Sequence, residues 1–554
     1  AGGPAGARAL TQGGFCREEY VRLLEQALGG LGYTEVAEAL ERASGIPLQS
    51  STARDFRQAL LAGKWERCLG FLPRLGIADE DVRAEVTFEV LREKYLELLE
   101  AGDVDRALAC LRQELKPLRV NSGKIRALAT LVVCAGPAQL QARAEWAGAA
   151  GGARHQLLRR LESLVPPAVM VPEGRLETLL QQAIEHQKSL CTFHNTTETT
   201  YSLLSDHRCG PEQIPSRTVQ VLDAHTDEVW HVQWSPDGAR LATASADHTA
   251  IIWRWAGEET DAADVGASPT ERNLLGEGAE GRGGQSAHRQ LEILYRLEGH
   301  KKEIAFLAWS VDSKRLATCS NDHNVRIWDA ASGKLLSVCE RHEQPVTSCS
   351  WLPDGKHLVS GGLDKAMYMW DSENGQEVAA FKGSGARIND IAVSKCGGWV
   401  FSSSNEKKFR VHALQGRRLK KDHEFVESES ILSICLSACN RYLLVNLQNQ
   451  NIHLWDFSQI NEGEFPVTPM SRFSGQLERQ GRYVVRSCFG GSDFSFVVSG
   501  SEDSKVYIWK RSNERLLKVL PGHSGTVNAV SWNRRWPFVF ASASDDHSVR
   551  IWGR

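Results

Sequence analysis

Four histidines, each followed 22 or 23 residues later by an aspartate and then by a tryptophan, are the residues of this chain best suited to acid–base chemistry. They are His225 with Asp247 and Trp253, His300 with Asp322 and Trp328, His342 with Asp364 and Trp370, and His523 with Asp546 and Trp552. A histidine beside a carboxylate is a common form of general base. Here, however, the set recurs, with the aspartate always six residues before the tryptophan, and Asp503 stands at the same distance before Trp509. Repetition argues for architecture. Histidine, a strand hydroxyl, a turn carboxylate and an indole N–H can satisfy one another where none could be buried unpaired cheaply. An internal polar chain is therefore expected at these positions, and no residue is assigned to catalysis.

The remaining chemical signals are weaker. His423-Glu424-Phe425-Val426-Glu427 is a near miss to the zinc motif H-E-x-x-H. It lacks the second ligand, and it is expected in a turn-rich stretch rather than on a helix. Gly276-x-Gly278-x-x-Gly281 matches a dinucleotide fingerprint in form, but no strand precedes it and no helix follows. The thirteen cysteines, Cys134, Cys349 and Cys488 among them, occupy apolar surroundings, and the close pair Cys435 and Cys439 lacks metal-site spacing. That pattern suits a reducing compartment. No P-loop and no G-x-S-x-G is present, so neither metal nor cofactor is expected.

What must position the recurring residues is a repeated unit: an apolar strand, a turn, a strand containing Ser or Thr, an Asp-led turn, and a strand ending in Trp. A period of about 42 residues, broken once by roughly 33 extra residues, is the mark of a WD-repeat β-propeller. Weaker copies complete the count. Val400 to His412 aligns with Leu241 to Trp253, placing Glu406 at the turn aspartate and His412 at the tryptophan; Asn449 replaces aspartate before Trp455. Seven blades result, of which the fourth to sixth lack the polar chain in whole or part. The chain stops after the last blade's third strand, so Thr218 to Leu222 is expected to supply the fourth and close the ring. The insertion at about 256–290, rich in Gly, Ala, Glu and Ser, is read as disordered.

Upstream the period becomes helical. Tyr20, Leu23, Leu24, Leu28 and Leu31 recur at helical spacing before Gly32, then Tyr33, Val36 and Leu40 continue to Ser44-Gly45. So small a hairpin cannot cover its own apolar face, which predicts self-association or docking on the following helices. Helices are expected at 53–62, 65–72, 81–100 (Val86, Leu91, Tyr95 and Leu98 inward) and 103–115, with shorter ones to about 188 and a linker at 189–216. Lys plus Arg (65) nearly balances Asp plus Glu (68), giving no electrostatic case for a nucleic-acid or membrane surface. The longest apolar stretch, Ala127 to Gly136, is about half the length needed to span a bilayer. Ala1 to Gly14 shows no signal-peptide pattern and is expected to be disordered. The sequon at Asn195 is read as chance.

In their order, these halves resemble the LisH-CTLH-WD-repeat subunits of the CTLH (GID) E3 ubiquitin ligase. Residues 15–49, with "GLGYTEVAEALERASG", resemble a LisH motif. "FRQALLAGKWERCLGFL" and "LREKYLELLEAGDVDRALACLRQELKPL", within 50–116, resemble CTLH helices, and 117–188 reads as further helices of that kind. "RAEWAG", "VPPAVMVPEGRLETLLQQAIEHQ", "SCFGG" and "SGSEDSKVYIW" make the resemblance specific. The fold implied is an all-α LisH-CTLH domain followed by an all-β seven-bladed propeller at 217–554. The resemblance implies a non-catalytic scaffold, cytoplasmic and nuclear, that self-associates through Tyr20, Leu23, Leu24, Leu28, Leu31, Tyr33, Val36 and Leu40. Its implied partners are RING-bearing and Ran-binding-protein-like subunits, with substrates or regulators docking on the propeller. Two rival roles share parts of this architecture. A cullin-4 substrate receptor would carry Trp-Asp-x-Arg, whereas Trp328-Asp329-Ala330-Ala331 and its counterparts at Trp370 and Trp455 lack the arginine. Corepressors and splicing factors share the domain order.

Overall fold

The computed structural model describes residues 15–77, 79–118, 122–134, 136–149, 152–166, 169–196, 200–257, 290–382, 385–416, 418–475 and 483–554. The expectations for 1–14, for the insertion at 258–289 and for the Gly276 motif fall outside them. The chain divides into two compact units, 1–185 and 186–554.

The first unit is helical. Arg17–Gly30 and Thr34–Ser44 form the hairpin read as LisH, and Gly45 ends it in the left-handed region at φ 68°, where glycine carries no Cβ penalty. Helix Ser51–Leu61 starts on Ser50, whose hydroxyl accepts the Ala53 N–H at 3.2 Å. Helix Glu80–Glu100 starts on Asp79, whose carboxylate accepts the Asp81 N–H at 2.9 Å. Such caps each contribute about 1 kcal/mol. The long helix serves two cores, Val86 and Val90 facing Phe56, Leu60 and Leu157, and Leu91, Tyr95 and Leu96 facing Cys110, Leu140 and Trp146. Leu98, expected inward, is only half-buried; Leu96 takes that place. The helix expected at 103–115 is α-helical over Val104–Ala109 and widens into a π-turn over Cys110–Leu115.

The second unit is a propeller of seven four-stranded antiparallel sheets. Blade 1 spans Val229–Leu297, blade 2 Ile304–Glu340, blade 3 Val346–Lys382, blade 4 Ile388–Val426, blade 5 Ile431–Phe473 and blade 6 Ser487–Pro521; blade 7 joins Val527–Gly553 to Arg217–Leu222. The first strand of each blade adjoins that of the next around the ring. Closure follows the sequence reading: Thr218 pairs with Trp552 and Leu222 with Val549, so the last blade has no missing strand. In every blade the residue after the turn Asp position is left-handed: His248, His323, Lys365, Lys407, Gln450, Ser504 and His547. Blades 4 and 5 thus keep the turn's backbone although Glu406 and Asn449 replace its aspartate.

The stretch 189–216, expected as a linker, falls within the second unit. Ile214 is buried in the core shared by blades 6 and 7, and Phe193 packs against it. Asn195 is fully buried, its Nδ2 donating to the Gln213 and Pro537 carbonyls at 2.8 Å and its Oδ1 accepting the Ser492 N–H at 3.1 Å. The stretch reads as a linker from its polar composition because its anchors to the propeller are single positions. A glycan at this sequon has no room.

Candidate functional site

The four strong blades hold the polar chain as expected. His225 Nδ1 lies 2.8 Å from Asp247 Oδ2 and its Nε2 2.8 Å from Thr243 Oγ1, which accepts the Trp253 indole N–H at 3.1 Å. His300, Asp322, Thr318 and Trp328 repeat this, as do His342, Asp364, Ser360 and Trp370, and His523, Asp546, Ser542 and Trp552. The carboxylate can only accept, so Nδ1 carries the proton and the hydroxyl donates to Nε2. Both ring nitrogens are thereby committed within the chain. None of these histidines is offered to a substrate.

Burial alone would raise the carboxyls of Asp247, Asp322, Asp364 and Asp546, but the histidine N–H and the turn amides outweigh it and hold each below 3.8. His300 is held below its ordinary 6.5, chiefly by burial. A depressed folded pKa contributes stability above the unfolded value and loses it as pH falls, so the two effects have the same sign. The melting temperature of the propeller is expected to decline below about pH 6.5 and most steeply below about pH 4. Thermal unfolding followed by tryptophan fluorescence at stepped pH checks this; a midpoint unchanged at about pH 3 would contradict it.

The other predicted members do not join such a chain. Asp503 accepts from the Tyr507 hydroxyl at 2.8 Å, and the Trp509 indole donates to the Ser474 carbonyl at 3.0 Å; no histidine lies between them. In blade 4, His412 substitutes for tryptophan, its Nε2 2.9 Å from Ser402 Oγ. Blade 5 is rewired. Val445 occupies the hydroxyl position ten residues before Trp455, and Glu427 stands where the histidine would be, four residues before the inner strand. Its carboxylate accepts Trp455 Nε1–H and His453 Nδ1–H, both at 2.7 Å. Glu427 is the last residue of the H-E-x-x near miss. That motif lies on a strand, Arg418–Val426, rather than in turns, with His423 stacked on Phe465 and Glu424 paired to Arg410. Glu427→Leu leaves two buried N–H groups without an acceptor and should cost about 3 kcal/mol. Chemical denaturation measures this, and a loss under about 0.5 kcal/mol would show that the pair finds another acceptor.

A second buried network, which carries no motif, plugs the axis. Arg486, directly before blade 6, donates from Nη1 to Asp390 Oδ2 of blade 4 at 2.7 Å, and its guanidinium lies 4.5 Å from the centre of the Phe306 ring in blade 2. Asp390 also accepts from Ser348 Oγ at 2.6 Å and from the Ile434 N–H at 3.1 Å. His231 of blade 1 packs at a tilt against Phe306, its ring held well below the ordinary histidine range by burial and by Arg486.

In the helical unit the predicted association face is bare. Leu31 is 70% exposed, Tyr33 60%, Val36 52% and Tyr20 48%, while Leu23, Leu24, Leu28 and Leu40 are half-buried. Beside this face the first helix is held within the unit: Gln26 Nε2 donates to the Pro172 carbonyl at 2.9 Å, and Val21 and Glu25 are buried. Leu23, Leu24, Leu28 and Leu40 are partly covered within the hairpin, where the two helices pack on each other, while Tyr20, Leu31, Tyr33 and Val36 stay exposed. Sequence reading also missed a carboxylate ladder on the long helix. Glu93 accepts Trp146 Nε1–H at 2.6 Å, Glu97 accepts Arg154 Nε–H at 2.7 Å and Trp65 Nε1–H at 3.0 Å, and Glu100 accepts the Ala149 N–H at 3.0 Å. Spacings of four and three put the acids on one face, where they fasten Trp146 of "RAEWAG" together with Ala149, Arg154 and Trp65.

Although no metal is expected from the sequence, Cys191, His194, His207 and Cys209 converge in the second unit. Two short pairs, C-x-x-H and H-x-C, were the overlooked signal. None of the thirteen cysteines is joined in a disulfide, and among the described residues no helix is long and apolar enough to cross a membrane.

Comparison with known proteins agrees with this division. Residues 8–50 match the WDR26 Lis-homology domain, and residues 216–254, 291–329, 333–371, 468–510 and 514–553 match the WD domain, G-beta repeat. The unmatched span covers most of blades 4 and 5, whose polar chains have diverged. An Arabidopsis thaliana WD repeat-containing protein 26 homolog is 36% identical over 544 residues, covering 98% of this chain and 85% of that protein. The Drosophila melanogaster WD repeat-containing protein 26 homolog is 35% identical over 97% of this chain and 80% of its own length. GID complex subunit 7 of Schizosaccharomyces pombe is 31% identical over 96% of both chains. With a Lis-homology hairpin, a helical unit and seven blades shared over nearly its full length, the chain belongs to the family of WD repeat-containing protein 26 homologues.

Proposed function

We propose that the chain is a non-catalytic subunit of a multisubunit E3 ubiquitin ligase of the CTLH (GID) type, acting in ubiquitin-dependent degradation in the cytoplasm and nucleus. The observation that carries this reading is the similarity to GID complex subunit 7 over 96% of both chains, helical half included. In this reading the bare face of the Lis-homology hairpin takes a second copy of the chain. The helices behind it bind sister subunits, RING-bearing and Ran-binding-protein-like members among them, and the propeller docks substrates or regulators. The structure's chemistry favours docking over catalysis: the histidine–aspartate pairs are locked into the blades, and the axis is plugged by Arg486 and Asp390. Capture of the tagged full-length chain from its own cells, with mass spectrometry of what accompanies it, is the test. RING-bearing ligase subunits are expected in near-stoichiometric amounts, and their consistent absence would contradict the proposal.

A further inference from the structure

Four metal-binding side chains lie together outside the propeller strands, and nothing in the proposed function uses them. Cys191 follows the end of helix Arg175–Leu190, and His194 comes three residues later; His207 and Cys209 return from the far end of the same stretch. One ligand atom from each lies within 4.8 Å of every other. His194 Nδ1 is 2.8 Å from His207 Nε2, and Cys209 Sγ is 3.2 Å from His207 Nε2 and 3.8 Å from His194 Nδ1. Around tetrahedral zinc, with Zn–N about 2.0–2.1 Å and Zn–S about 2.3 Å, neighbouring ligand atoms stand roughly 3.3–3.8 Å apart. The observed spacings bracket that range, so movements well under an ångström for most pairs would close the polyhedron.

The surroundings hold the four groups in place. The Cys209 N–H donates to Cys191 Sγ at 3.2 Å, a contact that steadies a thiolate, and the His207 N–H donates to Gln187 Oε1 at 3.1 Å. Between the first two ligands Phe193 packs into the core of blades 6 and 7, and directly after them Asn195 is bolted to the Gln213 and Pro537 carbonyls. Tyr201 stands edge-on to His207, ring centres 5.3 Å apart. Cys191 and His194 are buried and the other two half-buried, so the site has a dry side and an entry path. Two soft sulfurs and two imidazole nitrogens are the donor set of structural zinc.

We propose that Cys191, His194, His207 and Cys209 form a closed, structural zinc site that fastens the stretch after helix Arg175–Leu190 to blades 6 and 7. Loading Zn2+ converts the two thiols to thiolates and releases two protons, leaving the four-ligand centre neutral. With all four positions filled by protein there is no open coordination site, so the metal has a holding role.

Full-length chain purified without chelators should carry one zinc per chain by elemental analysis. Cys191→Ser combined with Cys209→Ser should lower this at least about tenfold, whereas Cys396→Ser with Cys439→Ser, both at exposed thiols, should leave it unchanged. Metal-free chain titrated with cobalt(II) should show the intense visible bands of a tetrahedral centre and thiolate-to-cobalt charge transfer. Zinc content near zero that does not rise on dialysis against zinc would overturn the proposal, as would undiminished zinc in the C191S/C209S chain. If that variant fails to fold, the cobalt titration of the unaltered chain decides alone: absence of the tetrahedral bands overturns it.

Discussion

Replacing Leu24 and Leu28 with aspartate is expected to reduce the chain in solution from a dimer or larger species to a monomer, at least halving its mass by light scattering. The two residues stack one helical turn apart on Arg17–Gly30, one turn beyond Tyr20, in a hairpin that also exposes Leu31 and Val36. An unpaired carboxylate transferred from water into an apolar interface costs several kcal/mol unless it is neutralised, and a two-fold contact would bury each substitution twice. Because Leu24 and Leu28 are themselves half-buried, Val36→Asp provides an independent check at a position 52% exposed, where the fold of one chain has little to lose. Circular dichroism should show helix retained in both variants. An unchanged mass in both would remove self-association through this face from the account.

The largest loss of stability is expected from Arg486→Met. Asp390 is almost fully buried and Arg486 Nη1 lies 2.7 Å from it, so the substitution strands a carboxylate whose remaining partners are one hydroxyl and backbone N–H groups. Breaking a buried pair from one side costs about 3–5 kcal/mol, and about 4 kcal/mol is expected here. Removing both charges, with Asp390→Leu added to Arg486→Met, should recover part of the loss, since the penalty lies in the uncompensated charge. Denaturant unfolding of the single and double variants measures this. If the double variant is less stable than the single by a further few kcal/mol, the network stabilises the ring through its hydrogen bonds and not through charge compensation.

How far the sequence could be read depended on whether partners lay at a fixed distance along the chain. His300, Thr318, Asp322 and Trp328 belong to one blade and recur at one spacing, so their hydrogen bonds were predictable before any coordinate. The closing strand at 217–222 was legible for the same reason, a blade one strand short at one end and a spare alternating segment at the other. Glu427 was not. Its role depends on Val445 having removed the hydroxyl that Trp455 would otherwise use, a compensation visible only when both are seen around one indole. Arg486, directly before blade 6, and Asp390 of blade 4 meet across the axis, and no periodicity links them. Glu93 and Trp146 are likewise joined by packing of separate helices. The cluster at Cys191 lay in a stretch whose polar composition suggested a linker, and its two short pairs fall outside familiar zinc spacings. Helix boundaries in the first unit were readable where Ser50, Asp79 or Gly45 marks an end, and least so at Cys110–Leu115, where a π-turn widens the helix with no local signature.

The central claim is that the chain brings ubiquitin transfer to other proteins without performing it. The most direct test is an in vitro ubiquitylation assay with activating enzyme, conjugating enzyme and ubiquitin. It would compare the purified full-length chain, the assembly captured on the tagged chain, and the assembly captured on the Leu24→Asp/Leu28→Asp variant. The account predicts no ubiquitin-chain formation by the purified chain, robust formation by the captured assembly, and weakened formation by the variant's assembly. Ubiquitin transfer by the purified chain alone, or none by the captured assembly, would contradict it.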